Sequence, residues 1–356
     1  TEVRANEIRA LEKLFDEFSG AAWRALVQTA AEAELVYVTG FQALRGTAPM
    51  AAVLGMAALM VLGAGEWARR NELDTQWDNL RRTSELQALA LRGVATRYSY
   101  LPFTAAQQPH VAALLRAPPS PAAREAANAY LQTVNARAGS EALYVMDTSG
   151  LTLASSNWNT ATSFVHQNYG NRPYFRDALQ GQAGRFYGVG KTTGEPGLFV
   201  SAPVYDGEKI VGVVAVKVRM QPIVNTWAQL RDPVFVTDER GIIFLGSVGP
   251  WLYKTTRQIP EPAIRQLQHD EQYGAQWVPQ AVPWKFTQRA GQPGAQLDVP
   301  KPPRTYLALT EPLPDLGWSL TLTADNKSVD AARQQAWALA TLASGLLVLG
   351  ALYWQL

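Results

Sequence analysis

The residues best suited to chemistry fall in one block, 155–217. Tyr169, Arg172 and Tyr174 stand in SSNWNTATSFVHQNYGNRPYF, at the start of an expected helix. Free backbone amides and the helix dipole favour anions at such a start. A guanidinium there offers a planar fork that matches a carboxylate with two bonds. The loop GVGKTTGEPG, 188–197, is dense in Gly, Thr and Lys and can wrap a small ligand with hydroxyl and backbone donors. Ser201 follows on a strand, and Lys217 sits inside the apolar strand VVAVKV. Two cations on opposite walls, with hydroxyls between them, would suit a small diacid. Each residue also has a plainer role. Arg172 fits a solvated helix start, Lys217 fits the wet side of an alternating strand, and Tyr169, Tyr174 and Tyr187 fit a core. The loop lacks the Walker spacing of a phosphate cradle.

The elements that must position these residues are read from periodicity. EALYVMD (141–147), LTLASSN (151–157), RFYGVGK (185–191), LFVSAPVYD (198–206) and KIVGVVAVKVRM (209–220) read as strands. RPYFRDALQG (172–181) reads as a helix closed by Gly181, and Asp206-Gly207 signals a hairpin. Five strands with helices on one side make an α+β domain. DPVFVTDERGIIFLGS (232–247) repeats the pattern of EALYVMDTSGLTLASS (141–156) about 91 residues later. A second, smaller copy is therefore expected. Strands at 304–314 and 318–325 would close it, with the Gln-, Pro- and Gly-rich stretch 274–303 as a long loop.

Upstream, 67–100 reads as one long helix with an apolar stripe of Leu73, Trp77, Leu80, Leu91 and Val94, interrupted at Ser84 and Gln87. Leu101-Pro102 is expected to end it, and shorter helices follow at 104–116 and 121–138. Two uncharged apolar runs, 48–65 and 336–356, have the length of membrane spans. Residues 1–47 read as an amphipathic helix carrying Ile8, Leu11, Leu14, Phe15 and Phe18, and the numbering is expected to begin inside a longer protein. Lys and Arg total 32 against 30 Asp and Glu, so no basic stripe points to nucleic acid. No Ser-His-Asp order, metal cluster or paired-carboxylate block points to catalysis.

The run SSNW to SFVHQNYGNRPYFRDALQGQAGRFYGVGKTTGEPGLFVSAPV resembles the membrane-distal sensor domain of the C4-dicarboxylate sensor histidine kinases (DctB type). The resemblance covers roughly 67–325 and is strongest over 142–219. It implies an α+β chain with a long N-terminal stalk helix and two tandem PAS-like (PDC, double Cache) domains, flanked by two transmembrane helices. The expected order is a leader 1–47, a span 48–66, a stalk 67–100 and a membrane-distal ligand-binding domain 101–225. A membrane-proximal domain 226–325, a connecting helix 326–335 and a second span 336–356 follow.

By the same resemblance, Arg172 and Lys217 bind two carboxylates, and Tyr169, Thr192, Thr193 and Ser201 supply hydroxyls. Tyr174 and Tyr187 line the pocket. Lys191 lengthens the cationic side of the loop, and His166 stands where the family usually has Gly. The proximal domain is expected to bind no ligand. The implied function is the extracytoplasmic input region of a two-component sensor histidine kinase for succinate, fumarate or malate. A chemoreceptor or a cyclic-dinucleotide enzyme with the same architecture is the alternative, and an anchored enzyme is the least supported. The chain itself is expected to catalyse nothing and to need no cofactor, with phosphoacceptor and ATP-binding parts beyond Leu356. Expected partners are the dicarboxylate, membrane lipid and a second copy paired through the stalk. The expected place is a bacterial inner membrane, with 67–335 in the periplasm.

Overall fold

The computed structural model describes residues 47–116, 120–288 and 291–355. The expected leader, up to residue 46, lies outside the described residues. Leu80–Ala324 forms one compact unit, and the flanking segments, to Asn79 and from Asp325, form another.

Helix α1 (Thr47–Arg97) runs without a break. Past Pro49 it contains no proline and is rich in Ala, Leu, Glu and Arg, strong helix formers. It ends at Arg97 rather than at Leu101-Pro102. Pro102 falls in the first turn of the next helix, α2 (Tyr100–Ala106), where a missing N–H forfeits no bond. The helix expected at 104–116 is likewise divided. Pro109 opens α3 (Pro109–Arg116), and the residue before a proline is pushed out of helical geometry. α4 (Pro121–Ala138) begins at Ser120, whose hydroxyl accepts the Ala123 amide, and ends at Gly139, φ 69°.

The first sheet domain, expected to be the distal one, follows with β1 (Ala142–Asp147), β2 (Thr152–Ser155), α5 (Pro173–Leu179), β3 (Gly184–Val189), β4 (Pro196–Asp206) and β5 (Lys209–Val218). Its antiparallel sheet has the order β2-β1-β5-β4-β3. Asp206 pairs with Lys209 across the two-residue turn opened by Gly207, φ 62°. Strand alternation puts Tyr144 and Met146 of β1, Ala215 and Lys217 of β5, Phe199 and Ser201 of β4, and Phe186 of β3 on one face. Phe164, Tyr169, Tyr174 and Phe175 complete the core above that face.

The second sheet domain, expected to be the proximal one, contains α6 (Gln221–Ala228), β6 (Val234–Asp238), β7 (Ile243–Gly246), α7 (Glu261–His269), β8 (Lys285–Gln288), β9 (Ala295–Pro300), β10 (Pro303–Leu313) and β11 (Trp318–Asp325). Its order, β7-β6-β11-β10-β9-β8, is that of the first sheet with one strand added. The repeat holds to the level of single atoms. Asp147 Oδ1 accepts the amides of Ser149 and Leu151, and Asp238 Oδ1 accepts those of Arg240 and Ile242. Ser156 Oγ takes the Leu143 amide as Ser247 Oγ takes that of Val234. The second copy is not the smaller one. The stretch expected as a loop supplies β8 and β9, and β8 is exposed along its whole length, so it shows no alternation to read.

Within this unit the α1 stripe is already covered. Leu80, Ala88, Leu91 and Ala95 are buried. The two polar interruptions are matched by partners: Ser84 Oγ donates to Glu311 at 3.3 Å, and Gln87 Oε1 accepts Trp227 Nε1 at 2.8 Å. The stripe expected to pair two stalks therefore packs on the chain's own domains. Leu86 and Leu89 face outward instead.

The flanking unit holds the first part of α1 and α8 (Lys327–Gln355), which joins the expected connecting helix to the second apolar run. Gly65 lies against the Trp337 indole, where any Cβ would collide. Leu54, Leu59 and Leu62 of α1 and Leu339, Leu342, Leu346 and Leu349 of α8 are exposed. Among the described residues one helical run, Ala52–Ala106, is long and apolar enough to cross a membrane.

Candidate functional site

Arg172 caps α5 with extended backbone, φ −79° and ψ 136°, as the following Pro173 requires. The residue as a whole is 2% exposed. Nη1 donates to the carbonyls of Asp270 and Glu271, both at 3.1 Å, and Nη2 donates to that of Val189 at 2.7 Å. Those bonds use three of five donor hydrogens. Nε and one Nη2 hydrogen stay outside them, and such a pair forms the planar fork that grips a carboxylate. The Phe186 ring centre lies 5.5 Å from the guanidinium carbon. Burial pulls Arg172 below the ordinary guanidinium value, and the neighbouring Tyr174 and Glu271 act against that pull.

Arg172 lines a small hollow together with Phe164, Tyr169, Tyr174, Gly190, Lys191, Thr192 and Phe199. Its volume is about 10 Å³, room for one water. Tyr169 Oη and Thr192 Oγ1 share a 2.5 Å hydrogen bond across it. Tyr174 Oη bonds Tyr144 Oη at 2.8 Å. Burial pushes the Tyr169 hydroxyl up to about 12 against the Thr192 bond and Arg172, and pushes Tyr174 and Tyr144 up as well. These phenols are therefore neutral donors and acceptors near neutral pH. Any larger ligand requires the 190–194 loop to move outward. That loop turns back on itself through Gly194 N to Gly190 O, 2.8 Å, with Gly194 at φ 69°.

Lys217 does not line the hollow. Its ammonium, fully buried, donates to Glu141 Oε1 at 2.6 Å and to Thr193 Oγ1 at 2.7 Å. It reaches the floor of the loop, since a Cβ on Gly190 would lie 3.1 Å from Nζ. Glu141 Oε2 is buried without a hydrogen-bond partner. The expected pair of opposed cations is thus one buried guanidinium at the hollow and one ammonium held behind it by a carboxylate. Glu141 precedes β1 by one residue and carried no signal of this role beyond its charge.

The other expected residues divide in the same way. Tyr169, Arg172, Tyr174, Lys191 and Thr192 converge on the hollow. Thr193 faces Lys217. Ser201 shares the correct sheet face, but its hydroxyl donates to Tyr174 O at 2.6 Å and so supports α5. Tyr187 is a correction. It lies on the opposite face of β3 from Phe186, and its hydroxyl donates to Phe244 O of the proximal domain at 3.1 Å. Tyr144, Phe164 and Phe199 were missed, although the alternation of β1 and β4 places Tyr144 and Phe199. A larger hollow of about 740 Å³ lies between the domains, lined by Tyr187, Met220, Val224, Phe244 and Leu252. Its charged lining residues, Glu195 and Arg219, are exposed. Of the two buried cations, Arg172 lines the smaller hollow and Lys217 stands behind it on Glu141.

Residues 69–332 match the family profile described as Cache domain. The chain is 28% identical over 250 residues to the C4-dicarboxylate transport sensor protein DctB of Pseudomonas aeruginosa, covering 70% of this chain and 38% of that protein. It is 29% identical over 311 residues to the protein of the same name from Rhizobium meliloti, covering 84% of this chain and 50% of that one. The chain thus spans half or less of the length of these curated relatives. Among solved structures, the sensor domain of the Vibrio cholerae histidine kinase DctB aligns with a TM-score of 0.62 at 24% identity, over 72% of this chain and 98% of that one. The periplasmic domain of RsbU from Chlamydia trachomatis aligns with a TM-score of 0.53 at 11% identity, over 73% of this chain and 96% of that one. Both similarities show the α+β fold with its long N-terminal helix and two sheet domains.

Proposed function

The chain belongs to the Cache-domain family, and on that premise we propose that it is the extracytoplasmic input region of a sensor histidine kinase that detects a C4-dicarboxylate. One observation carries the proposal. Arg172 is a buried guanidinium positioned by three carbonyls, with its fork left over beside two hydroxyls and a lysine. A buried cation so arranged binds a carboxylate better than it serves stability. The first ligand carboxylate goes to the Arg172 fork, with Tyr169 and Thr192 opening to bond it. The second is held by Lys191 or, past the loop, by Lys217. Similarity to two proteins named as C4-dicarboxylate transport sensors supports succinate, fumarate or malate as the ligand.

In this proposal α1 and α8 cross the bacterial inner membrane, 67–335 lies in the periplasm, and kinase activity resides in parts of the protein outside this chain. The exposed leucines of both helices support lipid contact. A second copy pairs along the outward stalk face. Leu86 and Leu89 of α1, and Tyr100 and Phe103 of α2 just beyond it, are all more than half exposed.

Calorimetric titration of succinate, fumarate and malate into the whole chain tests the function. Saturable binding of at least one diacid, abolished in Arg172→Ala, is the expected result. No heat with any diacid would reject the proposal.

A further inference from the structure

Residues beside and within the lining of the distal hollow are braced by the other domain. The corner after α7 enters as main chain. His269 O accepts Asn171 Nδ2 at 3.0 Å, Asp270 O and Glu271 O accept Arg172, and Gln272 O accepts Val189 N at 2.8 Å. Gln272 Nε2 returns a bond to Tyr187 O at 3.0 Å. The buried Asp270 carboxylate anchors the corner through Arg176 at 2.8 Å and Gln266 at 2.9 Å. Glu271 holds a left-handed backbone, φ 49°, which a residue with a Cβ adopts at a cost. Its carboxylate lies 3.4 Å from the Lys191 ammonium. Lys191 also reaches Asn171 Oδ1 at 3.2 Å.

We propose that Glu271 is a specificity-determining residue of the distal site, its carboxylate holding Lys191 as a ligand carboxylate would. The proposal rests on the diacid reading of the hollow and deepens it. Three cations, Arg172, Lys191 and Lys217, share the site with two carboxylates, Glu141 and Glu271. A first ligand carboxylate meets Arg172, whose bonds go to carbonyls and which feels the Glu271 charge only through space. A second meets an ammonium that is already paired. The Lys217–Glu141 pair is sealed, at 0% and 12% exposure, whereas Lys191–Glu271 stands at 30% and 29%. The half-open pair is the easier to exchange, because water takes up the displaced carboxylate. Glu271 therefore grades ligands by charge and reach. Because it belongs to the proximal domain, its displacement also changes the corner through which that domain holds Arg172.

The test is calorimetric titration of the whole chain and its Glu271→Gln variant with butyrate, succinate and tricarballylate. Removing the competing charge should tighten succinate about five-fold, tighten tricarballylate more, and change butyrate least. The gain should shrink at high salt, and Glu271→Asp should keep the wild-type order. An equal gain for all three acids, or no gain while wild-type succinate binding stands, overturns the role of Glu271. Failure of succinate to bind either protein overturns the diacid reading itself, and this assignment falls with it.

Discussion

A buried guanidinium survives in a fold only when its hydrogens find acceptors, and Arg172 finds three carbonyls from two domains. Arg172→Ala strips a donor from each of those buried acceptors, so it should cost about 3 kcal/mol in chemical denaturation as well as all diacid binding. Arg172→Lys keeps the charge but loses the planar fork. It should leave the fold intact and weaken diacid binding at least about ten-fold by calorimetry. A lysine variant that binds as well as the wild type would show that the fork is not used. His166 is a second residue whose geometry gives a sign. It is exposed and holds φ 67°, where glycine carries no Cβ penalty. His166→Gly should raise stability by about 0.5–1 kcal/mol, measured by denaturant melts. Its departure from the family's glycine was visible in the sequence. The Arg172 partners were not, because they are main-chain carbonyls of residues 17, 98 and 99 positions away, and a carbonyl leaves no mark in residue identity.

At the scale of elements, the turns were the most legible feature. An Asp followed by a turn Gly recurs in both sheets, and the two aspartates make the same pair of amide bonds. Tyr187 took its expected place from the resemblance, whereas strand alternation puts it on the face opposite Phe186. The edge strand β8 escaped notice because no side of it is buried. The aromatic cluster over the distal sheet yields a pH prediction. Tyr144, Tyr169 and Tyr174 favour their neutral forms in the fold, chiefly through burial. Their contribution to stability is complete below the ordinary tyrosine value of about 10. It is lost as pH rises through about 12, the value to which Tyr169 is raised. Tyrosinate absorbance of the native chain should therefore leave a class of tyrosines un-ionised at pH 11, and that class should titrate together with unfolding. Smooth titration of every tyrosine near pH 10, without loss of helix signal, would contradict this burial.

Across the whole Leu80–Ala324 unit, the stalk and two sheet domains behave as one structure rather than as beads. The stalk gives its apolar stripe, together with Ser84 and Gln87, to the domains beside it. What remains for a second copy is the outward line of Leu86, Leu89, Tyr100 and Phe103. Leu89→Arg should shift sedimentation of the chain from dimer to monomer while leaving its melting temperature within a few degrees, as surface changes do. A change at the covered stripe, such as Leu91→Ala, should instead cost about 2–4 kcal/mol of stability. A monomeric wild type would remove the stalk-pairing proposal.

The most direct measurement is the position of succinate in a crystal structure of the chain soaked or grown with it. The account predicts one carboxylate held by Nε and Nη2 of Arg172, with the bonds from Nη1 to Asp270 and Glu271 retained. It also predicts the Tyr169–Thr192 contact opened to admit the chain of the acid. Succinate found between the domains against Tyr187 and Phe244, with the Arg172 fork untouched, would contradict it.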